Sequence, residues 1–134
     1  MLTFCRVTQL AAVGGSPTPW IPRTVLVVDD DADTRESLRD ILTDEGYSVV
    51  LASNGKIALG LLPALQRPCG IILDVTMPVM SGPEFYRAMR AIPAQADIPV
   101  VFWTSDPSRA PDGLPTMQKT VSLERLLGTV AALF

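Results

Sequence analysis

Histidine is absent from the 134-residue sequence, and this absence removes several classes of function at once. Without an imidazole the chain has no histidine phosphodonor, no histidine-based hydrolase site and no histidine-ligated metal site. Basic residues are also few, 11 against 14 acidic residues, and they do not cluster among aromatic side chains. Because nucleic-acid surfaces need such clusters, we expect no nucleic-acid partner.

Long apolar runs are lacking as well. No run approaches the ~18–20 residues that a membrane-spanning helix needs. The N-terminal stretch is a poor signal peptide, because its basic residue, Arg6, lies inside the weakly apolar segment 2–13 and not before it. We therefore expect no membrane partner and a cytoplasmic location.

Hydrophobic residues make up 48% of the chain and charged residues 19%, which is enough apolar material for one sizeable core. At this length a single domain is expected. Glycine and proline interrupt the segment 14–22, so we interpret residues 1–22 as an N-terminal extension. We predict that this extension is poorly ordered and that residues 23–134 form the folded domain.

Short β-branched segments alternate with helical patterns after residue 23. Strands are predicted at 25–28, 47–51, 70–73 and 98–103, with a short fifth strand ending near Lys119. Helices are predicted to start near Asp33, Asn54, Pro83 and Ser122. This alternation predicts an α/β fold built on a doubly wound parallel sheet of five strands.

Polar side chains follow the predicted strands at their carboxyl ends, where α/β sheets form their sites. Asp29 and Asp30 follow the first strand, Asp74 the third, Thr104 the fourth and Lys119 the fifth. Each residue alone is more often a cap, a turn residue or a surface side chain, and only their conjunction indicates a site. Crowded carboxylates repel one another, and a hard cation such as Mg²⁺ relieves that repulsion while leaving room for a phosphate.

Two segments resemble the response-regulator receiver domains of two-component signalling. Val25-Leu26-Val27-Val28-Asp29-Asp30 is similar to the family's first strand and acid pair, and residues 73–82, LDVTMPVMSG, to the motif around its phosphoacceptor. The resemblance covers roughly residues 24–134. It implies a flavodoxin-like strand order 2-1-3-4-5 and a domain that takes a phosphoryl group from a sensor histidine kinase or a histidine phosphotransfer protein.

The resemblance also implies a role for each matching residue. Asp74 corresponds to the phosphorylated residue and Asp30 to the direct metal ligand, while Asp29 acts mostly through metal-bound water. Thr76 would offer its backbone carbonyl to the Mg²⁺ cofactor. Thr104 resembles the hydroxyl that moves toward the phosphoryl group, and Lys119 the lysine that contacts it.

The C-terminal part departs from the family pattern. Thr120 follows Lys119 where the family has proline behind a cis bond, and a non-proline cis bond costs about 2.5–4 kcal/mol, so this bond is either strained or trans. Prolines break the segment 105–117, which predicts a shortened or missing fourth helix. Thr116 stands where the family has its aromatic switch residue.

These departures predict an unusual readout. We hypothesise that phosphorylation is relayed through residues 104–118 as a loop, or that the domain serves as a phosphate sink. The sequence ends at Phe134 with no output domain, so we expect signalling through an unknown downstream protein, by a monomer or weak dimer. Self-phosphotransfer and autodephosphorylation are the only reactions expected, and no enzymatic turnover of another substrate.

Two alternatives stay open. A degenerate receiver would bind a partner without being phosphorylated. A haloacid-dehalogenase-type phosphatase would use an Asp-x-Asp pattern, which Asp29-Asp30-Asp31 and Asp31-Ala32-Asp33 satisfy nominally. The second alternative is remote, because Asp33 and Arg35 stand where that family has threonine or valine.

Overall fold

The structure is a computed structural model that describes residues 23–65 and 67–134. In this part of the chain, five strands and four α-helices alternate. The strands are β1 (Thr24–Val28), β2 (Ser48–Ala52), β3 (Gly70–Asp74), β4 (Val100–Thr104) and β5 (Thr116–Gln118). The helices are α1 (Ala32–Asp44), α2 (Gly55–Leu61), α3 (Gly82–Arg90) and α4 (Leu123–Leu133). The predicted disorder of residues 1–22 lies outside the described residues.

The strands form one parallel sheet in the order β2-β1-β3-β4-β5. This order confirms the doubly wound fold that the alternating pattern and the resemblance predicted. The chain reverses its direction of winding between β1 and β3, which pair side by side. A crevice opens at the carboxyl ends of the strands on either side of such a reversal, so β1 and β3 fix the place of the site.

Side chains of the central strands alternate between two cores, because successive residues of a strand point to opposite faces of the sheet. Leu26 and Val28 pack in the cluster that includes Phe85 of α3. Val25 and Val27 pack in the other cluster, which Leu38 of α1 shares with α4. With both faces covered by helices, β1 and β3 become continuous apolar runs, and their polar residues come only at the ends.

The helix starts follow side-chain caps, with one correction to the sequence prediction. Helix α1 is capped by Asp31, whose carboxylate accepts from the backbone N–H of Thr34 at 3.2 Å. The helix begins close to the predicted start near Asp33, but its cap is Asp31, and Asp33 already lies in the first turn. A full capping box occurs instead at α3, where Ser81 and Glu84 exchange hydrogen bonds between side chain and backbone.

A loop takes the place of a fourth helix between β4 and β5, as the prolines predicted. Its regular structure is limited to a 3₁₀ turn at Pro107–Arg109. Two residues of this loop, Ala110 and Leu114, pack against the apolar cluster that contains Phe102. The loop therefore covers this edge of the sheet with two apolar contacts, whereas an amphipathic helix would bury a continuous row of apolar side chains there.

None of the helices in the described ranges has the length and apolar character needed to cross a bilayer.

Gly82 and Gly128 offer a paired test of the packing. Gly82→Ala should lower the free energy of unfolding by about 1–3 kcal/mol, because the added Cβ would lie 2.1 Å from the Asp74 carbonyl oxygen. Gly128→Ala, inside α4, should raise it by about 0.5–1 kcal/mol, since a Cβ there meets nothing within 4 Å. Urea denaturation measures both changes. Equal effects of the two variants would contradict the close approach of Gly82 to β3.

Candidate functional site

Three carboxylates meet where β1 and β3 end. Asp29 and Asp30 directly follow β1, and Asp74 is the last residue of β3, its neighbour in the sheet. One oxygen of each lies within 4.8 Å of the others. Asp29 and Asp74 are buried, whereas Asp30 is exposed. The structure thus brings together the three acids that the sequence singled out.

Asp29 is held from several directions. Its Oδ1 accepts from the backbone N–H of Asp31 at 2.9 Å, and its own N–H donates to the carbonyl of Ala52 at 3.1 Å. Arg35 donates from Nη1 to the Asp29 carbonyl at 2.7 Å. Sequence reasoning missed this role of Arg35, which lies one turn into α1 and has no motif of its own.

Lys119 reaches both buried acids from the end of β5. Its Nζ lies 2.8 Å from Asp29 Oδ2 and 3.6 Å from Asp74 Oδ2. The Lys119 N–H donates to the Thr104 carbonyl at 2.8 Å, which extends the pairing of β5 with β4. No peptide bond within 23–65 and 67–134 is cis, so the bond before Thr120 is trans. Lys119 reaches the site without the family's cis bond.

The pKa values of Asp74 and Lys119 are both raised, each by a different balance of burial and charge. Burial, followed by the negative charge of Asp29, raises the pKa of Asp74 to about 7, against the opposing effect of Lys119. For Lys119, burial lowers the pKa, but the hydrogen bond to Asp29 and the charges of Asp29 and Asp74 outweigh it and raise the pKa. The pocket therefore holds more negative charge than one ammonium group can balance.

An open cavity of about 410 Å³ lies over Asp74. Predicted site residues that line it are Asp30, Asp74, Thr76, Thr104 and Lys119. Sequence reasoning missed Ser105, Asp106 and Arg109, which also line it. They lie in the segment where the prolines predicted a shortened or missing helix, and the charges of Asp106 and Arg109 were the available signal.

The Thr104 hydroxyl is buried and engaged with the loop that follows it. Its Oγ1 accepts from the Asp106 N–H at 3.1 Å and donates to the Asp106 carbonyl at 3.3 Å. Thr116 hydrogen-bonds the Leu114 carbonyl at 3.1 Å and is not among the residues that line the cavity. Thr104 is thus coupled to the Asp106 loop, and no aromatic side chain stands at position 116 to follow its movement.

The segment after Asp74 makes a tight turn at Val79. Of the non-glycine residues that the structure describes, Val79 alone has a positive φ, 72°. The Met80 N–H donates across it to the Pro78 carbonyl at 2.7 Å, and the Gly82 N–H donates back to the Val75 carbonyl at 3.0 Å. A β-branched residue in this region is strained, so the packing of this loop over β3 holds the turn in place.

Comparisons with known proteins agree with this geometry. Residues 25–122 match the family model of the response regulator receiver domain. The chain belongs to this family. It is 41% identical over 123 residues to the response regulator MprA of Mycolicibacterium vanbaalenii, a match that covers 84% of this chain and 51% of that protein. The chain therefore spans about half the length of the curated relatives it matches.

Solved structures give the same family. The chemotaxis response regulator CheY4 of Vibrio cholerae superposes with a TM-score of 0.76 at 31% identity, covering 85% of this chain and 100% of that one. The response regulator TrrA of Thermotoga maritima, in complex with Mg²⁺ and BeF, gives a TM-score of 0.75 at 28% identity, with coverages of 84% and 99%. These matches confirm the fold and the family that the two sequence motifs indicated.

The acidic pocket of this receiver domain fits a divalent cation. Asp29, Asp30 and Asp74 offer carboxylate oxygens at mutual distances that one ion can bridge, and Thr76 borders the same cavity. Hard oxygen ligands are the ones that Mg²⁺ prefers. The excess negative charge around Lys119 gives a physical reason for such an ion to bind.

Lys119→Met tests the balance of charge in the pocket. The variant should lose about 1–3 kcal/mol of unfolding free energy in EDTA, because the buried Asp29 carboxylate loses its charged donor. Adding Mg²⁺ should then stabilise the variant more than the wild type, since no ammonium group competes with the ion. Urea denaturation with and without Mg²⁺ measures both effects.

The chain supplies a matched control, because Lys56, exposed on α2, is its other lysine. Lys56→Met should change neither the stability in EDTA nor the response to Mg²⁺. If both lysine variants behaved alike, the bridge from Lys119 to the two acids would have no energetic role.

Proposed function

We propose that this receiver domain accepts a phosphoryl group on Asp74 in a Mg²⁺-dependent reaction. The donor is the phosphohistidine of a sensor histidine kinase or of a histidine phosphotransfer protein. The observation that carries the proposal is the position of Asp74, whose buried carboxylate opens onto the cavity and lies 3.6 Å from Lys119 Nζ. The relation to TrrA, solved with Mg²⁺ and BeF, supports it.

The transfer follows from the arrangement of these groups. An oxygen of Asp74 attacks the phosphorus, the phosphorus–nitrogen bond to the donor imidazole breaks, and its electron pair remains on the imidazole nitrogen. Lys119 Nζ holds a positive charge beside the attacking carboxylate, where charge on the phosphoryl oxygens builds up. The Thr104 hydroxyl, buried at the same cavity, would leave Asp106 to donate to a phosphoryl oxygen.

Asp29, Asp30, Asp74 and the backbone carbonyl of Thr76 are the groups that would hold Mg²⁺. The ion, when bound, supplies positive charge that lets carboxylates and phosphoryl oxygens approach one another. Asp29 is already fixed by Asp31, Lys119 and its backbone. Asp30 is exposed and the most accessible of the three acids, which suits a direct ligand.

We further propose that the domain is no enzyme for external substrates and that its chemistry is limited to its own phosphorylation and dephosphorylation. Both frames of the dehalogenase-type alternative need Asp31, paired either with Asp29 or with Asp33. Asp31 instead caps α1, with its Oδ2 hydrogen-bonded to the backbone and the hydroxyl of Thr34. Its pKa is lowered by those same hydrogen bonds, as expected of a capping carboxylate.

Partners beyond the phosphodonor remain predictions of the sequence. We infer signalling by contact with a downstream protein, by a monomer or weak dimer in the cytoplasm, without nucleic acid or membrane. The relatives are about twice as long as this chain, so their whole activity does not carry over to it.

Intact-mass spectrometry tests the central reaction. After incubation with acetyl phosphate and Mg²⁺, the wild type should gain one phosphoryl-sized adduct, and omission of Mg²⁺ should abolish it. Asp74→Asn should gain none, because an amide is no nucleophile for this step. Asp40→Asn, which alters an exposed acid on α1, should label like the wild type.

Three outcomes would contradict these proposals. An adduct that persists in Asp74→Asn would place the acceptor elsewhere. A folded wild type that takes up no phosphoryl group would favour the degenerate receiver, for which the engaged Thr104 hydroxyl and the missing aromatic at Thr116 are the structural argument. If Asp74→Asn still hydrolysed a generic phosphate ester, the phosphatase hypothesis would be favoured again.

A further inference from the structure

The loop that replaces the fourth helix brings a second cation to the cavity. Arg109 ends the 3₁₀ turn after Asp106 and lines the cavity together with Asp74, Thr104 and Lys119. Its Nε lies 3.5 Å from Asp106 Oδ2, and its side chain is 65% exposed. Arg109 therefore borders the cavity that holds the acceptor, and its guanidinium is held by a weak, solvent-exposed pair.

Asp106 is fixed between Thr104 and Arg109. Its Oδ1 accepts from the backbone N–H of Ser108 at 3.1 Å and from the Ser108 hydroxyl at 2.6 Å, which caps the turn. Its backbone N–H and carbonyl both bond the Thr104 hydroxyl. A change at Thr104 thus reaches Asp106 directly, and Asp106 is the residue that holds Arg109.

Charge favours a different partner for Arg109 once Asp74 is modified. A phosphoryl group replaces the single charge of the Asp74 carboxylate with roughly one and a half to two negative charges and brings three acceptor oxygens into the cavity. The Asp106 carboxylate lines the same cavity and is repelled by them. A guanidinium binds phosphoryl oxygens through two parallel hydrogen bonds, which the 3.5 Å contact with Asp106 does not provide.

We propose that Arg109 is a phosphoryl-binding residue whose guanidinium exchanges Asp106 for the phosphoryl oxygens on Asp74. This inference rests on the proposed function of Asp74. The exchange links the acceptor to the loop through Thr104, Asp106 and Arg109, a route that needs neither a fourth helix nor an aromatic residue at position 116.

Beryllofluoride, which mimics a phosphoryl group, is the probe. At saturating Mg²⁺, a ¹⁹F NMR titration should show binding to Arg109→Gln that is roughly fivefold to tenfold weaker than to the wild type. Arg109→Lys should fall between the two, since it keeps the charge and loses the fork. Arg39→Gln is the matched control, because Arg39 also forms an exposed i,i+3 pair, with Glu36 on α1, and should bind like the wild type.

Calorimetry of Mg²⁺ binding without beryllofluoride separates this role from a general disturbance of the pocket. Removing a cation should leave Mg²⁺ affinity unchanged or raise it, while beryllofluoride affinity falls. A parallel loss of both affinities in Arg109→Gln would overturn the proposal and show a structural role only.

Asp106→Asn completes the test, because asparagine can still cap the turn while releasing Arg109. It should bind beryllofluoride roughly twofold to fivefold more tightly than the wild type, and the gain should shrink when Arg109→Gln is added. If the wild type binds beryllofluoride and Arg109→Gln binds it equally well, only the role of Arg109 is refuted. If the wild type binds none, the proposed function fails and this inference with it.

Discussion

The bridge from Lys119 Nζ to Asp29 and Asp74 is the interaction on which the rest of the site depends. It joins the ends of three strands, β1, β3 and β5, and it places one positive charge between two buried carboxylates. A buried carboxylate without a partner would be costly, so this bridge makes the acidic pocket compatible with a folded domain. Burial, followed by the charge of Asp29, raises the pKa of Asp74 against the opposing effect of Lys119, and a divalent cation can relieve the repulsion among the three acids.

The carboxyl edge of the sheet separates the rigid strands from the loops that can rearrange. Below it, the central strands are buried on both faces and offer no freedom. Above it, Asp74 is followed in the chain by the Val79 turn and shares its cavity with the Asp106 loop. The second of these has one 3₁₀ turn, exposed charges and few apolar contacts, which are the features of a segment that rearranges at low cost. A change at Asp74 would therefore move this loop before it moved any helix.

Much of this organisation could be predicted from sequence because it depends on local chemistry. Apolar runs that end in acids located the strands and the site, and the prolines after Thr104 predicted the missing helix. The contacts across the cavity could not be predicted, since they depend on three-dimensional approach. Arg35, which donates to the Asp29 carbonyl, and Arg109, which lines the cavity over Asp74, look like ordinary surface cations in the sequence. Lys119 was predicted at the site from its place after the fifth strand, but its contacts with both acids, made with a trans bond to Thr120, could not be predicted.

Amide hydrogen exchange, followed residue by residue, tests the central claim most directly. The chain would be compared in EDTA and in Mg²⁺ with beryllofluoride, alongside Asp74→Asn. We expect slower exchange in residues 75–82 and a changed pattern in residues 105–115 of the wild type, with α1 and the central strands unaltered. Identical exchange in both conditions, or the same changes in Asp74→Asn, would contradict an acceptor at Asp74 that reports through the loop.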